Sequence, residues 1–245
     1  MNSNLDDRQS KVVDPLNSAC DAGETANDPN NQYHDNENEE VAKRADTDDS
    51  DRENLAWEEI RTEHIVQDEW IDFRRSAYRF PDGSVFEPFY SYSRRDYVVI
   101  VASDEGGKYI CVRQFRQGIK EVTTEFPAGG IERTDGREYG SARDSSVSED
   151  ALGAARRELL EETGYESDDW RHLLTVPSHA TLADNYAHIF IAGNCRKSAD
   201  QNLDDTEFLN VRKHSAAEIE EMIYKGDFQQ AIHIMAWLLA QRTAI

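Results

Sequence analysis

The chain has 245 residues, 27 Lys and Arg against 49 Asp and Glu, and a formal net charge of −22, which excludes a nucleic-acid binder that works by neutralising phosphates. Its 4 Trp, 9 Phe and 10 Tyr supply core material that a wholly disordered acidic chain lacks. Cys20, Cys111 and Cys195 form no close pair, the start MNSNLDDRQS is neither basic nor apolar, and the longest mainly apolar stretch is Ile232 to Ala240. A soluble cytoplasmic protein without a disulfide framework or Cys-ligated zinc is therefore expected.

Residues 1–55 carry 15 Asp and Glu against 5 Lys and Arg, with Tyr33 almost the only aromatic. They are predicted to be a disordered acidic extension, more simply a solvated terminus than a docking tail. Residues 56–245 read as a mixed α/β domain. Alternating or β-rich runs predict strands at Trp70 to Tyr78, Val85 to Tyr92, Tyr97 to Ala102 and Lys108 to Phe115. Pro81-Asp82-Gly83 and Asp104-Glu105-Gly106-Gly107 supply hairpin turns, so an antiparallel meander opens the domain. A helix is predicted over Ser148 to Thr163, stopped by Gly164. Further strands are expected at Leu173 to Val176, Ala187 to Ala192 and Glu207 to Val211, and two helices at Ser215 to Tyr224 and Phe228 to Gln241. The last helix is given an apolar face of Ile232, Met235, Ala236 and Leu239.

The string Arg157-Glu158-Leu159-Leu160-Glu161-Glu162-Thr163-Gly164-Tyr165 carries the chemistry. Positions i, i+3 and i+4 put three glutamates on one helical face. Like charges at those separations repel by a few tenths of a kcal/mol per pair, so a cation belongs beside them. Arginine answers part of that need, and a hard divalent ion such as Mg²⁺, which takes oxygen ligands, answers the rest.

This string resembles the box of the Nudix hydrolases, which act on nucleoside diphosphates linked to another group. Glu149 fits the box glutamate eight positions before Arg157, whereas Arg143 stands where the box glycine belongs. The glycine is better matched by Gly129 in Glu125-Phe126-Pro127-Ala128-Gly129-Gly130, which is similar to the entry segment of the ADP-ribose pyrophosphatase branch. Glu149 then arrives 14 positions late, which implies a polar insertion within 133–148. A tolerated surface insertion is preferred for it over a substrate-gating loop. Val112-Arg113-Gln114-Phe115-Arg116 resembles the strand that precedes this entry in the same branch, and Ala187 to Ala192 resembles a later core strand. The likeness covers approximately residues 69–239.

The resemblance implies a Nudix fold, a mixed β-sheet sandwiched between helices, with a small antiparallel N-terminal sheet at about 65–93 that takes part in a homodimer and a core at about 94–245. It also implies Mg²⁺, with Mn²⁺ as a substitute. Glu158 and Glu162 become the main metal ligands, with Glu161 as a bridging ligand or a water positioner and the Ala128 carbonyl as a further ligand. Arg157 orients these glutamates, and Glu149 takes a structural or secondary metal role. Glu207, then Asp205, are the candidates for a general base. Arg113 and Arg116, with Arg94 and Arg95, are candidate diphosphate contacts or else surface charge. Trp70 is either an adenine-stacking residue from the partner subunit or a core tryptophan. His179 and His188 lack metal-ligand spacing and read as structural, although the resemblance places His179 in the loop where substrate contacts occur in relatives.

The expected reaction is Mg²⁺-dependent cleavage of ADP-ribose to AMP and ribose 5-phosphate. The alternatives are a nucleotide-sugar pyrophosphatase and a non-catalytic sensor of nucleotides or ADP-ribose. Neither nucleic acid nor a membrane is expected as a partner.

Overall fold

The fold is that of a computed structural model, which describes residues 55–68, 70–132, 149–204 and 206–243. The acidic extension, the insertion at 133–148 and Asp205 lie outside the described residues.

Three strands, β1 (Glu58–Gln67), β2 (Asp72–Arg79) and β3 (Val85–Ser93), form an antiparallel sheet in chain order. The sequence gives no alternation across β1, because nearly all of it is exposed. Cross-strand polar pairs hold it instead, Arg79 to Glu58 at 3.0 Å and Thr62 to Ser76 at 2.7 Å among them. This sheet is tied to the rest of the domain where the Tyr92 N–H donates to the Leu182 carbonyl (2.7 Å) and Arg74 pairs with Asp184 (3.1 Å).

The larger sheet contains β4 (Tyr97–Asp104), β5 (Tyr109–Arg116), β6 (Glu121–Glu125), β7 (Ala128–Gly130), β8 (Tyr165–Glu166), β9 (Asp169–Pro177), β10 (Tyr186–Lys197) and β11 (Leu209–His214). Its main order is β11-β5-β4-β10-β8, with β6 on β5, β7 on β4 and β9 on β10. Strand β10 runs parallel to β4, and the other pairings are antiparallel.

Helix α1 (Ala151–Thr163) packs on one face of this sheet, while α2 (Ala216–Lys225) and α3 (Ala231–Thr243) pack on the other. Strand β4 shows why: Val98, Ile100 and Ala102 join the α1 core, and the alternate Val99 and Val101 join the core of Ile219, Phe228 and Trp237. A strand buried on both faces reads as the continuous apolar run seen in the sequence. The mixed sheet between helices is as expected. Among the described residues, no helix is long and apolar enough to cross a membrane.

The buried face of α3 differs from the predicted one. His233, Ala236, Trp237 and Ala240 point inward, and Ile232 and Met235 flank them. The His233 imidazole is drawn in because its Nδ1 accepts the Phe126 N–H at 3.2 Å. Burial, helped by the positive Arg116, depresses its pKa to about 3. The folded state thus refuses a proton that the unfolded chain accepts near pH 6.5. Stability from this group is complete above pH 6.5 and is lost as pH falls towards 3, at about 1.4 kcal/mol per pH unit. Urea unfolding at pH 6.5 and 4.5 is expected to show a smaller stability loss for His233→Asn than for wild type. Equal losses would remove His233 as the cause.

Candidate active site

Helix α1 starts where the Asp150 side chain accepts the Gly153 N–H (2.6 Å), and ends at Gly164 in the left-handed region, φ +69°. Gly164 is required there twice over, because a Cβ would also lie 2.1 Å from the Ala199 carbonyl oxygen. Ala154, Ala155 and Leu159 seat the helix on the sheet. Glu158 and Glu162, one turn apart, share that inward side and are 7% and 2% exposed. Strand β7 runs beneath them. The Ala128 N–H donates to Glu162 Oε2 at 3.0 Å. A Cβ on Gly129 would stand 2.0 Å from the Glu158 carboxyl carbon, so only glycine lets strand and carboxylate approach this closely.

Arg157 gathers the acidic groups. Its guanidinium donates to Glu149 (2.6 Å), Glu158 (2.8 Å), Glu161 (3.0 Å) and the Gly130 carbonyl (2.9 Å). Burial alone would favour its loss of charge, but Glu149 and Glu158 outweigh that and hold it protonated. Glu132 and Glu149 close the base of the insertion. The Glu149 N–H donates to the Glu132 carbonyl (3.0 Å), and the Glu132 N–H donates to Glu149 Oε1 (2.9 Å).

Burial raises Glu158 to about 7 against the pull of Arg157, with the charges of Glu207 and Glu161 adding to the rise. Glu162 is raised well above the usual carboxylate range by burial and by Glu158, then Glu207. Two desolvated carboxylates side by side are an electrostatic demand for a cation. Among the described residues, no three Asp, Glu, His or Cys side chains are grouped closely enough to hold a metal ion as they stand. The cause is visible in the hydrogen bonds: Glu158 and Glu161 are drawn onto Arg157, and Glu162 onto the β7 backbone. The donors are nonetheless hard oxygens on a rigid helix and strand, with glycine clearing the space between them. Such a set suits Mg²⁺ or Mn²⁺.

The loop after β10 caps the end of α1. Lys197 Nζ donates to the Thr163 carbonyl (2.9 Å), Gln201 Nε2 to the Glu162 carbonyl (2.7 Å) and the Asn202 N–H to the Glu161 carbonyl (2.9 Å). Helix-end carbonyls that lack internal partners are thereby satisfied. The same tether brings Glu207 into electrostatic range of Glu158 and Glu162. The sequence reading missed Gln201 and Asn202, whose roles depend on this loop geometry.

The candidate substrate residues are spread out. Arg116 is on the α1 side of β5, in phase with Ile110, and its charge reaches Glu162. Arg113, three residues away, has the opposite strand phase, shared with Cys111, and is exposed. Arg95 lies beside β7, its Cδ 3.6 Å from the position of a Cβ on Gly130, and Arg94 is exposed. Trp70 is 68% exposed in the β1–β2 connection, so it is not a core tryptophan. Among the histidines, His188 bonds Thr175 through Nδ1 (3.2 Å), and exposed His179 anchors a turn through its carbonyl.

The NUDIX domain family model matches residues 93–238. The chain is 28% identical over 180 residues to an ADP-ribose pyrophosphatase of Bacillus subtilis (strain 168), covering 70% of this chain and 85% of that relative. It is 26% identical over 159 residues to a methanol dehydrogenase activator of Bacillus methanolicus, covering 62% and 75% respectively. A solved structure described as an ADP compounds hydrolase superposes with a TM-score of 0.64 at 19% identity, covering 78% of this chain and 96% of that one. At that identity the superposition speaks for the fold. The family match spans β4 to α3 and contains the whole carboxylate helix: this chain belongs to the Nudix hydrolase family and is ADP-ribose pyrophosphatase-like.

Proposed function

We propose that the protein hydrolyses ADP-ribose to AMP and ribose 5-phosphate with Mg²⁺ held by Glu158, Glu162, Glu161 and the Ala128 carbonyl. The observation that carries this reading is the pair of buried carboxylates, Glu158 and Glu162, pressed against the glycine-bearing β7 strand. A fold selected for stability alone gains nothing from two desolvated like charges. The bound cation supplies neutralisation of the diphosphate charge and activation of the attacking water.

The chain's own residues do the remainder. Arg157 fixes the glutamate rotamers, and Glu149 holds Arg157 from the far side. Glu207 accepts the proton of the attacking water, a role its charge coupling to Glu158 and Glu162 supports. Asp205 is the alternative base. Arg116 and Arg95 take the diphosphate oxygens. The similarity to the Bacillus subtilis ADP-ribose pyrophosphatase favours ADP-ribose within the diphosphate class.

A homodimer through the N-terminal sheet completes this reading. Trp57, Trp70, Phe86 and Tyr90, on or beside that small sheet, are each 45% exposed or more, which leaves large aromatic side chains available to a second copy. Trp70 then serves as the base-stacking residue of the neighbouring site. A monomeric mass by light scattering at working concentration would remove the dimer. For the substrate, kcat/KM is compared for ADP-ribose, UDP-glucose and dinucleoside polyphosphates. ADP-ribose is expected to lead by at least about tenfold, since each 1.4 kcal/mol of selective transition-state contact gives that factor. A lead for UDP-glucose would transfer the assignment to nucleotide sugars. Ligand-induced thermal stabilisation without product would make the protein a sensor.

A further inference from the structure

Glu125, the last residue of β6, is fully buried. Its Oε1 accepts from Arg116 Nε at 2.8 Å and from Thr123 Oγ1 at 3.3 Å, while its buried Oε2 has no hydrogen-bond partner. A half-satisfied buried carboxylate is a poor stabiliser: it keeps most of the desolvation cost and gains bonds at one of its two oxygens only. An apolar side chain of similar volume would serve the core as well or better. The reason for the carboxylate is therefore to be sought in what it does to Arg116.

The β5–β6 hairpin sets the geometry. Val112 opposes Glu125 and Arg116 opposes Glu121, so Arg116 and Glu125 share one sheet face, and the arginine reaches back past Thr123 to find its partner. The strand beneath is fixed, since the Thr124 N–H donates to the Asp227 carbonyl (2.9 Å) and the Phe126 N–H to His233. Glu125 engages only the Nε edge of the guanidinium. Among the described residues, the terminal nitrogens of Arg116 make no hydrogen bond, and its side chain keeps 32% exposure. An arginine held by Nε has its plane set and its two terminal nitrogens left as an open fork, the geometry that grips phosphate oxygens bidentately.

We infer that Glu125 is a positioning residue that anchors Arg116 by its Nε and so presents the guanidinium fork to the diphosphate. This inference rests on the reading of the site as a diphosphate site. Glu125 touches no substrate. Its contribution is to remove the entropy cost of fixing Arg116 at the moment of binding.

The test is a double-mutant cycle in the full-length protein with Glu125→Met, Arg116→Met and the pair, read as KM and kcat for ADP-ribose with Mg²⁺. Calorimetric Kd values for ADP-ribose and for inorganic pyrophosphate in EDTA, and Tm, complete the set. Glu125→Met is expected to raise KM and the Kd values about tenfold, with kcat within about threefold and Tm not lowered. In the Arg116→Met background it should add nothing further. Glu125→Gln keeps the acceptor for Nε, guards against a packing failure in the methionine variant, and should recover part of the affinity. Multiplicative single effects, or a lowered Tm with KM and Kd unchanged in both Glu125 variants, would overturn the positioning role while leaving the site assignment standing. A wild-type protein that binds both probes without hydrolysing ADP-ribose would retire the hydrolase reading, with the Kd cycle still deciding for Glu125. Absence of binding of either probe in EDTA together with no hydrolysis of ADP-ribose in Mg²⁺ would overturn both.

Discussion

Glu162→Gln is expected to lower kcat/KM at least about 100-fold while leaving the metal-free fold as stable as wild type or more so. The substitution keeps size and shape, and the amide oxygen can still accept the Ala128 N–H that now meets Glu162 Oε2 at 3.0 Å. Only the charge goes. In the metal-free protein that charge is a burden, because burial and the neighbouring Glu158 and Glu207 all oppose it. Its removal relieves like-charge repulsion inside the domain. With Mg²⁺ the comparison reverses: wild type should gain thermal stability as the cation binds the folded state, and the variant should gain little. Thermal unfolding with EDTA and with Mg²⁺, beside initial rates, separates the cases. An unchanged rate would remove Glu162 from the chemistry, and a collapsed Tm in EDTA would make it a structural residue.

Gly129→Ala is expected to reduce activity by about 100-fold through a single methyl group, the scale set by misplacing a reactive group by 1 Å. The added Cβ would stand 2.0 Å from the Glu158 carboxyl carbon and 2.1 and 2.2 Å from its oxygens. Backbone strain plays no part, since Gly129 is not in the left-handed region. Glu158 must therefore swing away, dragging on its bond to Arg157, at an overpacking cost of about 1–3 kcal/mol. Gly118→Ala is the control, because a Cβ there meets nothing within 4 Å. Equal rates for wild type and the Gly129 variant would mean that the Glu158 carboxylate need not lie against β7.

The carboxylate helix was legible because three signals coincide within one turn or two: the glutamate spacing, the arginine that neutralises it and the terminating Gly164. Its true start, three residues inside the predicted one, follows from Asp150 taking the cap. Strand β1 was illegible, since a strand exposed on both faces carries no hydrophobic period. The phase of α3 was ambiguous for the opposite reason: Ile232, Ile234, Met235 and Leu238 give apolar residues all round, and a buried histidine settles which face turns inward. The separation of Arg113 from Arg116 could have been read from the strand period of two. The Arg116–Glu125 pair could not, because it depends on hairpin register four residues away along β5. Likewise the arrival of Glu207 near the glutamates rests on side chains and backbone groups of residues 197–202 closing the end of α1.

In the proposed reaction the α1 carboxylates hold a divalent cation with which ADP-ribose is split between its phosphates. This reaction is tested most directly by following AMP release from ADP-ribose by the purified full-length protein, first in EDTA and then after Mg²⁺ is restored in excess. The expected result is no release above the uncatalysed rate in EDTA, and prompt formation of AMP and ribose 5-phosphate in equal amounts once Mg²⁺ is present. AMP release that continues unchanged in EDTA, or its absence with Mg²⁺ and with Mn²⁺, would contradict the proposed reaction.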